Sequence, residues 1–350
     1  MNQAPSSPHD ADNRKITIKD VARAAGVSIS SVSRTLSNHP NVSAALRVRV
    51  ERAVELLGYQ PDFLAHSLRR GNTHSVGFLV GAISNPIMAD LSASAGNVLA
   101  AESYAMLLVC SQNDPDADVA YLRFLAHRQV GGLIISSAAN GPDQTAPLLA
   151  ELALPTVMLD RHRPDLPHVS AVQSDHASGM KAAVKHLLAQ GHRRIAMIGG
   201  LPFLYPAHNR LKGYRAALED AGLNCDASLL RSVGFQADRA YTETLDLLTL
   251  PAPPTALIAA GNTTLIGVLE ALRQRGARAG ADLALIGCDD TALSRLHTPA
   301  ITVIERDLAL LGETAARLLL DAMQGSAGQT VHLPTKLVIR ASSTFGVLEH

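Results

Sequence analysis

The residues with the clearest chemistry stand between Thr17 and Leu36. Val21, Ala24 and Ala25, and later Val32 and Leu36, fall at helical spacing on either side of Gly26-Val27-Ser28. This spacing predicts two short amphipathic helices joined by a turn whose glycine can take φ > 0. Ser28 stands where an N-cap belongs, and the second helix turns Ile29, Ser30, Ser31, Ser33 and Arg34 outward. Short polar side chains and a forked guanidinium on one free helix face can bond phosphates and base edges in a DNA major groove. Covalent chemistry has no such signature. The histidines are scattered, with no two at i, i+4, and no nucleophile stands with a base. Cys110, Cys225 and Cys288 are far apart and lack metal-ligand spacing, as free thiols of a reducing cytoplasm would be. Gly199-Gly200-Leu201-Pro202 follows a strand pattern, but it is not Gly-x-Gly-x-x-Gly, and its proline removes a donor a phosphate would want. The reading is of binding rather than an enzyme, with no metal and no cofactor.

What must carry that helix pair follows from length and charge. A chain of 350 residues exceeds one ordinary domain. Hydrophobic residues make up 47% but aromatics only 3%, with no Trp, so the cores must be built from Ala, Leu, Val and Ile. The formal net charge is zero, yet it is unevenly spread. Residues 14–70 hold ten Lys and Arg (Arg14, Lys15, Lys19, Arg23, Arg34, Arg47, Arg49, Arg52, Arg69, Arg70) against four acids (Asp20, Glu51, Glu55, Asp62). A basic head on an acidic body is the electrostatic footprint of a protein that neutralises phosphates with one end.

In chain order, residues 1–15 read as a disordered tail without a signal-peptide core, and no apolar run is long enough for a membrane span. The head runs over 16–61, its third helix predicted from Ala44 to Leu57 and stopped by Gly58. Residues 62–74 follow as a hinge helix and linker, too short to be stable alone. From Ser75, strands at Val76–Val80, Met106–Cys110, Leu133–Ser136 and Thr156–Asp160 alternate with helices over 87–103 and 115–128. After Arg161–His168 the alternation resumes, with helices over 175–190, 207–221 and 262–275 and strands at Ile195–Ile198, Ala256–Ala260 and Leu283–Cys288. A helix over 307–323 and strands near 331–340 close the chain. Unbroken apolar strands predict parallel sheets covered on both faces, with ligands at the carboxyl ends of the strands. The expected fold class is α/β: an all-α helix-turn-helix head and hinge, then a doubly wound body of two subdomains. One subdomain is set at about 75–172 with 304–330, and the other at about 173–303 with 331–344. Residues 348–350 read as the remnant of a vector-encoded tag.

From Ile16 to Thr344 the sequence resembles the lactose-repressor family of bacterial transcription regulators. The resemblance is carried by Thr17–Leu36, Leu57-Gly58-Tyr59-Gln60-Pro61, Ile83-Ser84-Asn85-Pro86, Val130-Gly131-Gly132-Leu133-Ile134, Gly191-His192-Arg193-Arg194-Ile195, Gly287-Cys288-Asp289-Asp290 and Leu333-Pro334-Thr335. It implies a cytoplasmic dimer whose heads bind a near-palindromic DNA operator, and a periplasmic-binding-protein-like core that senses a small molecule.

The resemblance also implies roles. Ile29, Ser30 and Arg34 would read base edges, with Arg34 bidentate to guanine. Thr17, Ser28, Ser31, Ser33 and the loop residue Asn41 would contact DNA around them, the hydroxyls on phosphate. Leu68 would wedge into the minor groove and kink the duplex. Asp62 and His66 depart from the family's usual asparagine and arginine and lower the positive charge there. Protonation of His66, whose ordinary pKa is ~6.5, would raise DNA affinity as pH falls. In the core, Ser84, Asn85, Ile87, Asp160, Phe203, Arg210, Asn262 and Asp289 would face the ligand. Asp160 and Asp289 would accept from ligand hydroxyls, and Arg210 suits a hydroxyl, ring oxygen or carboxylate. Where the family has aromatics after Asn85-Pro86, this chain has Ile87-Met88, so stacking would fall to Phe203, Tyr205 or His208. A sugar, sugar acid or sugar phosphate is the implied ligand class.

A periplasmic sugar-binding protein is the rival reading, since it would share the body. It would carry a signal peptide and no basic head, the reverse of what stands here. The family's tetrameric members add a leucine-heptad helix after the core, which is not seen after Thr344, so a homodimer is expected.

Overall fold

The computed structural model describes residues 16–36, 39, 41–59, 73–137, 144–161, 165, 166, 168–234 and 236–344. The predicted tail, the hinge positions His66 and Leu68, and residues 348–350 lie outside the described residues. The chain divides into two compact units, the first ending at Thr73 and the second beginning at His74.

In the first unit, α1 (Ile18–Ala25), α2 (Ile29–Leu36) and α3 (Ala44–Leu57) enclose a small core in which Val21, Val32 and Val50 are fully buried. The Thr17 hydroxyl and backbone N–H both donate to Asp20 Oδ2, at 2.6 and 3.0 Å, which starts α1. Gly26, at φ 62, ends α1 and satisfies its last carbonyls. Ser28 caps α2, accepting from the Ser31 N–H at 3.1 Å.

The second unit holds two six-stranded sheets. The first comprises β1 (Ser75–Val80), β2 (Ala105–Cys110), β3 (Leu133–Ser136), β4 (Thr156–Leu159), β5 (Ser170–Ser174) and β11 (Thr330–Leu333), in the order β11-β5-β4-β3-β1-β2. The second comprises β6 (Ile195–Gly199), β7 (Leu230–Ser232), β8 (Ala256–Ala259), β9 (Ala284–Cys288), β10 (Thr302–Arg306) and β12 (Thr335–Val338), in the order β12-β10-β9-β8-β6-β7. The two sheets repeat one topology. All pairings are parallel except β12 with β10.

Helices cover both faces of each sheet. On the first lie α4 (Pro86–Ala101), α5 (Pro115–His127), α6 (Thr145–Leu152) and α12 (Leu308–Met323). On the second lie α7 (His176–Ala189), α8 (Tyr205–Asp220), α9 (Ala237–Leu248) and α10 (Asn262–Arg275), with the short α11 (Ala292–Leu296) after β9.

The chain passes between the halves after Ser174, after Arg306 and after Leu333. Two predicted subdomain boundaries therefore shift. The strand Thr302–Arg306 stands whole in the second sheet, so a boundary at 304 would cut it. Thr330–Leu333 pairs with β5 of the first sheet, not with the second half to which 331–344 was given. Pro334, without an N–H, separates that strand from β12. The sequence pattern does not mark α6, α9, α11, β5, β7 or β10. Two of these strands, Ser170–Ser174 and Leu230–Ser232, carry too many polar residues to show an apolar run.

Candidate nucleic-acid interface and ligand cleft

On the head, Ile29, Ser30 and Arg34 are exposed on α2, while Ser31 and Ser33 are half-buried. The hydroxyl of Ser28 lies 2.8 Å from those of both Ser30 and Ser31, so the serines bond one another as well as capping the helix. The Thr17 hydroxyl is engaged by Asp20 and must turn before it can reach a phosphate. Asn41 is exposed, its backbone N–H donating to His39 Nδ1 at 3.3 Å. Arg49, counted among the basic residues of the head, has an internal task. Its Nη2 donates to the carbonyls of Ala25 and Gly26, at 2.7 and 3.0 Å, locking α3 onto the turn.

In the second unit the carboxyl ends of the strands of both halves face a cavity of about 430 Å³. Seven of the predicted residues line it: Ser84, Asn85, Ile87, Asp160, Arg210, Asn262 and Asp289. Phe203 does not. It is 62% exposed, because the turn that bonds Leu204 N–H to Leu201 O buries Leu204 and sets Tyr205 at the mouth of α8. Tyr205 lines the cavity instead, its hydroxyl donating to Gln173 Oε1 at 2.9 Å. His208 is exposed.

The cleft is organised by a cation absent from the sequence-predicted set. Arg306, at the end of β10, donates from Nε to Asp289 Oδ1 and from Nη1 to Asp160 Oδ2, both at 2.6 Å. The two carboxylates occupy equivalent places, just past β4 and β9, and both are left-handed, at φ 48 and 68. Each N–H bonds the next strand, Asp160 to Val172 O and Asp289 to Ile304 O, at 2.9 Å. Non-glycine residues held at positive φ cluster where function needs them, and aspartate tolerates this region better than most.

Both oxygens of Asp160 are engaged within the protein, Oδ1 by the Ser174 N–H at 2.7 Å and Oδ2 by Arg306. The His176 Nε2 lies 3.2 Å from Oδ1 without forming a hydrogen bond to it. Burial alone would raise the Asp160 pKa, but His176, Arg306 and the Ser174 N–H outweigh it and hold the carboxyl well below the usual range. Burial opposes ionisation of Asp289 as well, and Arg306 again overcomes it. The Arg306 guanidinium is held charged by the same pair, against its own burial. For His176 burial dominates the attraction of Asp160 and lowers its pKa, which keeps the ring neutral near pH 7. Arg210 is 5% exposed, and its Nη1 donates to Ala260 O at 2.9 Å.

Arg306 had one sequence signal, its place just before Asp307, the cap of α12. Among the described residues no cluster of three or more His, Cys, Asp or Glu side chains could hold a metal ion, and no helix is long and apolar enough to cross a membrane.

A helix-turn-helix head followed by twin doubly wound halves around a cleft lined by buried charged and apolar side chains defines a class of bacterial regulators with a periplasmic-binding-protein-like body. The comparisons agree. Residues 17–62 match the model for bacterial regulatory proteins of the lacI family, and residues 184–343 match the periplasmic binding protein-like domain. The chain is 32% identical to the HTH-type transcriptional regulator DegA of Bacillus subtilis (strain 168), over 94% of this chain and 98% of that protein. It is 33% identical to the ribose operon repressor of Escherichia coli (strain K12), over 87% of this chain and 92% of the repressor. Among solved structures, the lac repressor dimer bound to operator and the anti-inducer ONPF superposes with a TM-score of 0.83 at 27% identity, covering 95% of this chain and all of that one. The chain belongs to the lacI family of bacterial regulatory proteins.

Proposed function

We propose that this chain is a cytoplasmic, non-enzymatic repressor that binds a near-palindromic operator as a homodimer and is controlled by a small polar effector in the cleft. Arg34 and Ser30 read base edges, with Ile29 making apolar contact. The other head hydroxyls and Asn41 position the backbone, and Leu68 wedges the minor groove. The effector, a sugar, sugar acid or sugar phosphate, lies among Ser84, Asn85, Ile87, Arg210, Asn262 and Asp289. The observation that carries this reading is the bonding between halves around the cavity, where Arg306 of the second half holds carboxylates from both. A ligand inserted there changes how the halves meet. A coupling of ~1–3 kcal/mol then shifts operator affinity roughly 5–150-fold.

The test starts from purified protein and random-sequence duplexes. The selected sequence is expected to be near-palindromic, and its affinity is measured by fluorescence anisotropy with and without a panel of sugars, sugar acids and sugar phosphates. Failure to enrich any sequence would overturn the DNA-reading role. Enrichment without a response to any polar metabolite would overturn the effector role. Light scattering checks the dimer.

A further inference from the structure

His176 stands where the chain first crosses between the halves. Ser174 ends β5 of the first half, Asp175 caps α7, and His176 opens that helix in the second half. The ring is 2% exposed, and its Nε2 has no hydrogen-bond partner. A carboxylate of the opposite half faces it. Asp160, tied to the first sheet by the Ser174 N–H, lies 3.2 Å from that nitrogen. The other charged and titratable neighbours belong to the ring's own side. Arg210 and Tyr205 come from α8, Arg306 from the end of β10, Asp289 from just past β9, and Asp175 from the cap of α7. The Tyr205 ring stands edge-on at 6.4 Å, and its hydroxyl reaches Gln173 of the first half. The first half thus covers the ring through Asp160 and through the Tyr205–Gln173 bond, and both contacts part when the halves part.

In the closed body, burial disfavours a charge on the ring more than Asp160 favours it, and Arg210 and Arg306 act in the same sense as burial. Once water enters the cleft, the imidazole returns to its ordinary pKa of ~6.5. We propose that closure of the body is proton-linked through His176: the ring is neutral while the halves are together and takes a proton when they separate, so acidification opens the cleft. Closure is then at full strength above about pH 6.5 and weakens as pH falls below it. One proton bound only by the open form shifts the equilibrium by up to about tenfold per pH unit. The other groups of the cleft hold their charge through this range, Asp160 and Asp289 as carboxylates and Arg306 as a cation. His186 and His192 are bonded within the second half, to Ser343 and Thr255, and do not change partners when the cleft opens. Loss of the effector on acidification rests on the reading of the cleft given above, whereas the opening itself needs no ligand.

The test uses the ligand-free full-length protein, so it stands whether or not any compound proves to be an effector. The chain has no Trp, and a single one placed at the cleft reports its hydration. Ile266, 39% exposed on α10, and Met88, half-buried on α4, line the cavity from opposite halves, so Ile266→Trp and Met88→Trp are two independent reporters. Between pH 7.5 and pH 5.5 the emission is expected to move to longer wavelength and acrylamide quenching to rise severalfold, with far-UV circular dichroism unchanged. Adding His176→Asn, or His176→Gln if the first does not fold, is expected to leave the emission at pH 7.5 as it was and to abolish the acid response. An acid response that survives both substitutions would overturn the proposal. So would no response in either reporter, or a shift to shorter wavelength in acid, which would mean that the protonated ring pairs with Asp160 and closes the body. Emission already shifted at pH 7.5 in both His176 variants would make the ring a packing support of the closed form and would overturn it as well.

Discussion

Asn262 Nδ2 donates to Asn85 Oδ1 at 2.6 Å, joining residues 177 positions apart across the mouth of the cleft. Asn85 caps α4, its Oδ1 also accepting from the Ile87 N–H, and Asn262 opens α10, so the bond links one helix from each half. Tyr205 and Gln173 make a second such link. The halves are thus held closed partly by residues that also line the cavity.

Removing that link should favour the open cleft. Asn262→Ala is the cleaner variant, because Asn85→Ala would also remove a helix cap. One hydrogen bond contributes about 0.5–1.5 kcal/mol net, so effector affinity should fall roughly 2- to 10-fold, chiefly through faster release. Stopped-flow dissociation with the bound effector checks this, and an unchanged release rate would mean the bond does not hold the closed form.

Arg306 should be the residue of the cleft whose loss the fold tolerates least. Arg306→Met leaves Asp160 and Asp289 buried as carboxylates with their shared counter-charge gone, a loss of about 3–5 kcal/mol. Urea unfolding followed at the body should show it. Adding Asp160→Asn and Asp289→Asn to that variant should restore part of the loss, since the stranded charges go with them. No recovery would locate the damage in packing instead.

The neutral, buried His176 ties stability to pH. Its folded pKa lies below that of the unfolded chain, so its contribution is complete above about pH 6.5 and is lost as pH falls toward the folded value. His186 and His192 are shifted down by burial in the same sense. The body should therefore unfold more easily at pH 5.5 than at pH 7.5, and His176→Asn should lessen that difference. Denaturant midpoints at the two pH values measure it, and an unaltered difference in the variant would assign the effect to the other histidines.

Much of this arrangement was legible because apolar runs such as Thr156–Leu159 and Leu283–Cys288, alternating with helical patterns, read as strands covered on both faces, and the family resemblance singled out Asp160 and Asp289 just past those two. Arg306 was not legible for the same reason in reverse. Its strand, Thr302–Arg306, is half polar and reaches the cleft only by pairing with β9 and β12, which is a tertiary fact. The loop over 201–204 misled in another way. Phe203 is the more hydrophobic of the aromatics there, but the turn geometry, not hydrophobicity, decides that Leu204 goes inside and Tyr205 reaches the cavity.

Two arginines of the head, Arg34 and Arg49, should separate cleanly when mutated. Arg34 is exposed on α2, so Arg34→Ala should leave the head folded and relax discrimination at one base pair by about 1–3 kcal/mol. Arg49 carries the same charge, but its guanidinium holds the Ala25 and Gly26 carbonyls. Arg49→Ala should cost the head about 1–2 kcal/mol of stability and weaken binding to all duplexes alike, because the helix pair loses its fixed turn. Thermal unfolding of the head and affinities for the selected operator and single-base variants test both. If Arg49→Ala relaxed specificity while the head kept its stability, Arg49 would be a base reader. The bonds to Ala25 and Gly26 argue against that, since a side chain spent on the turn has no reach left for a base.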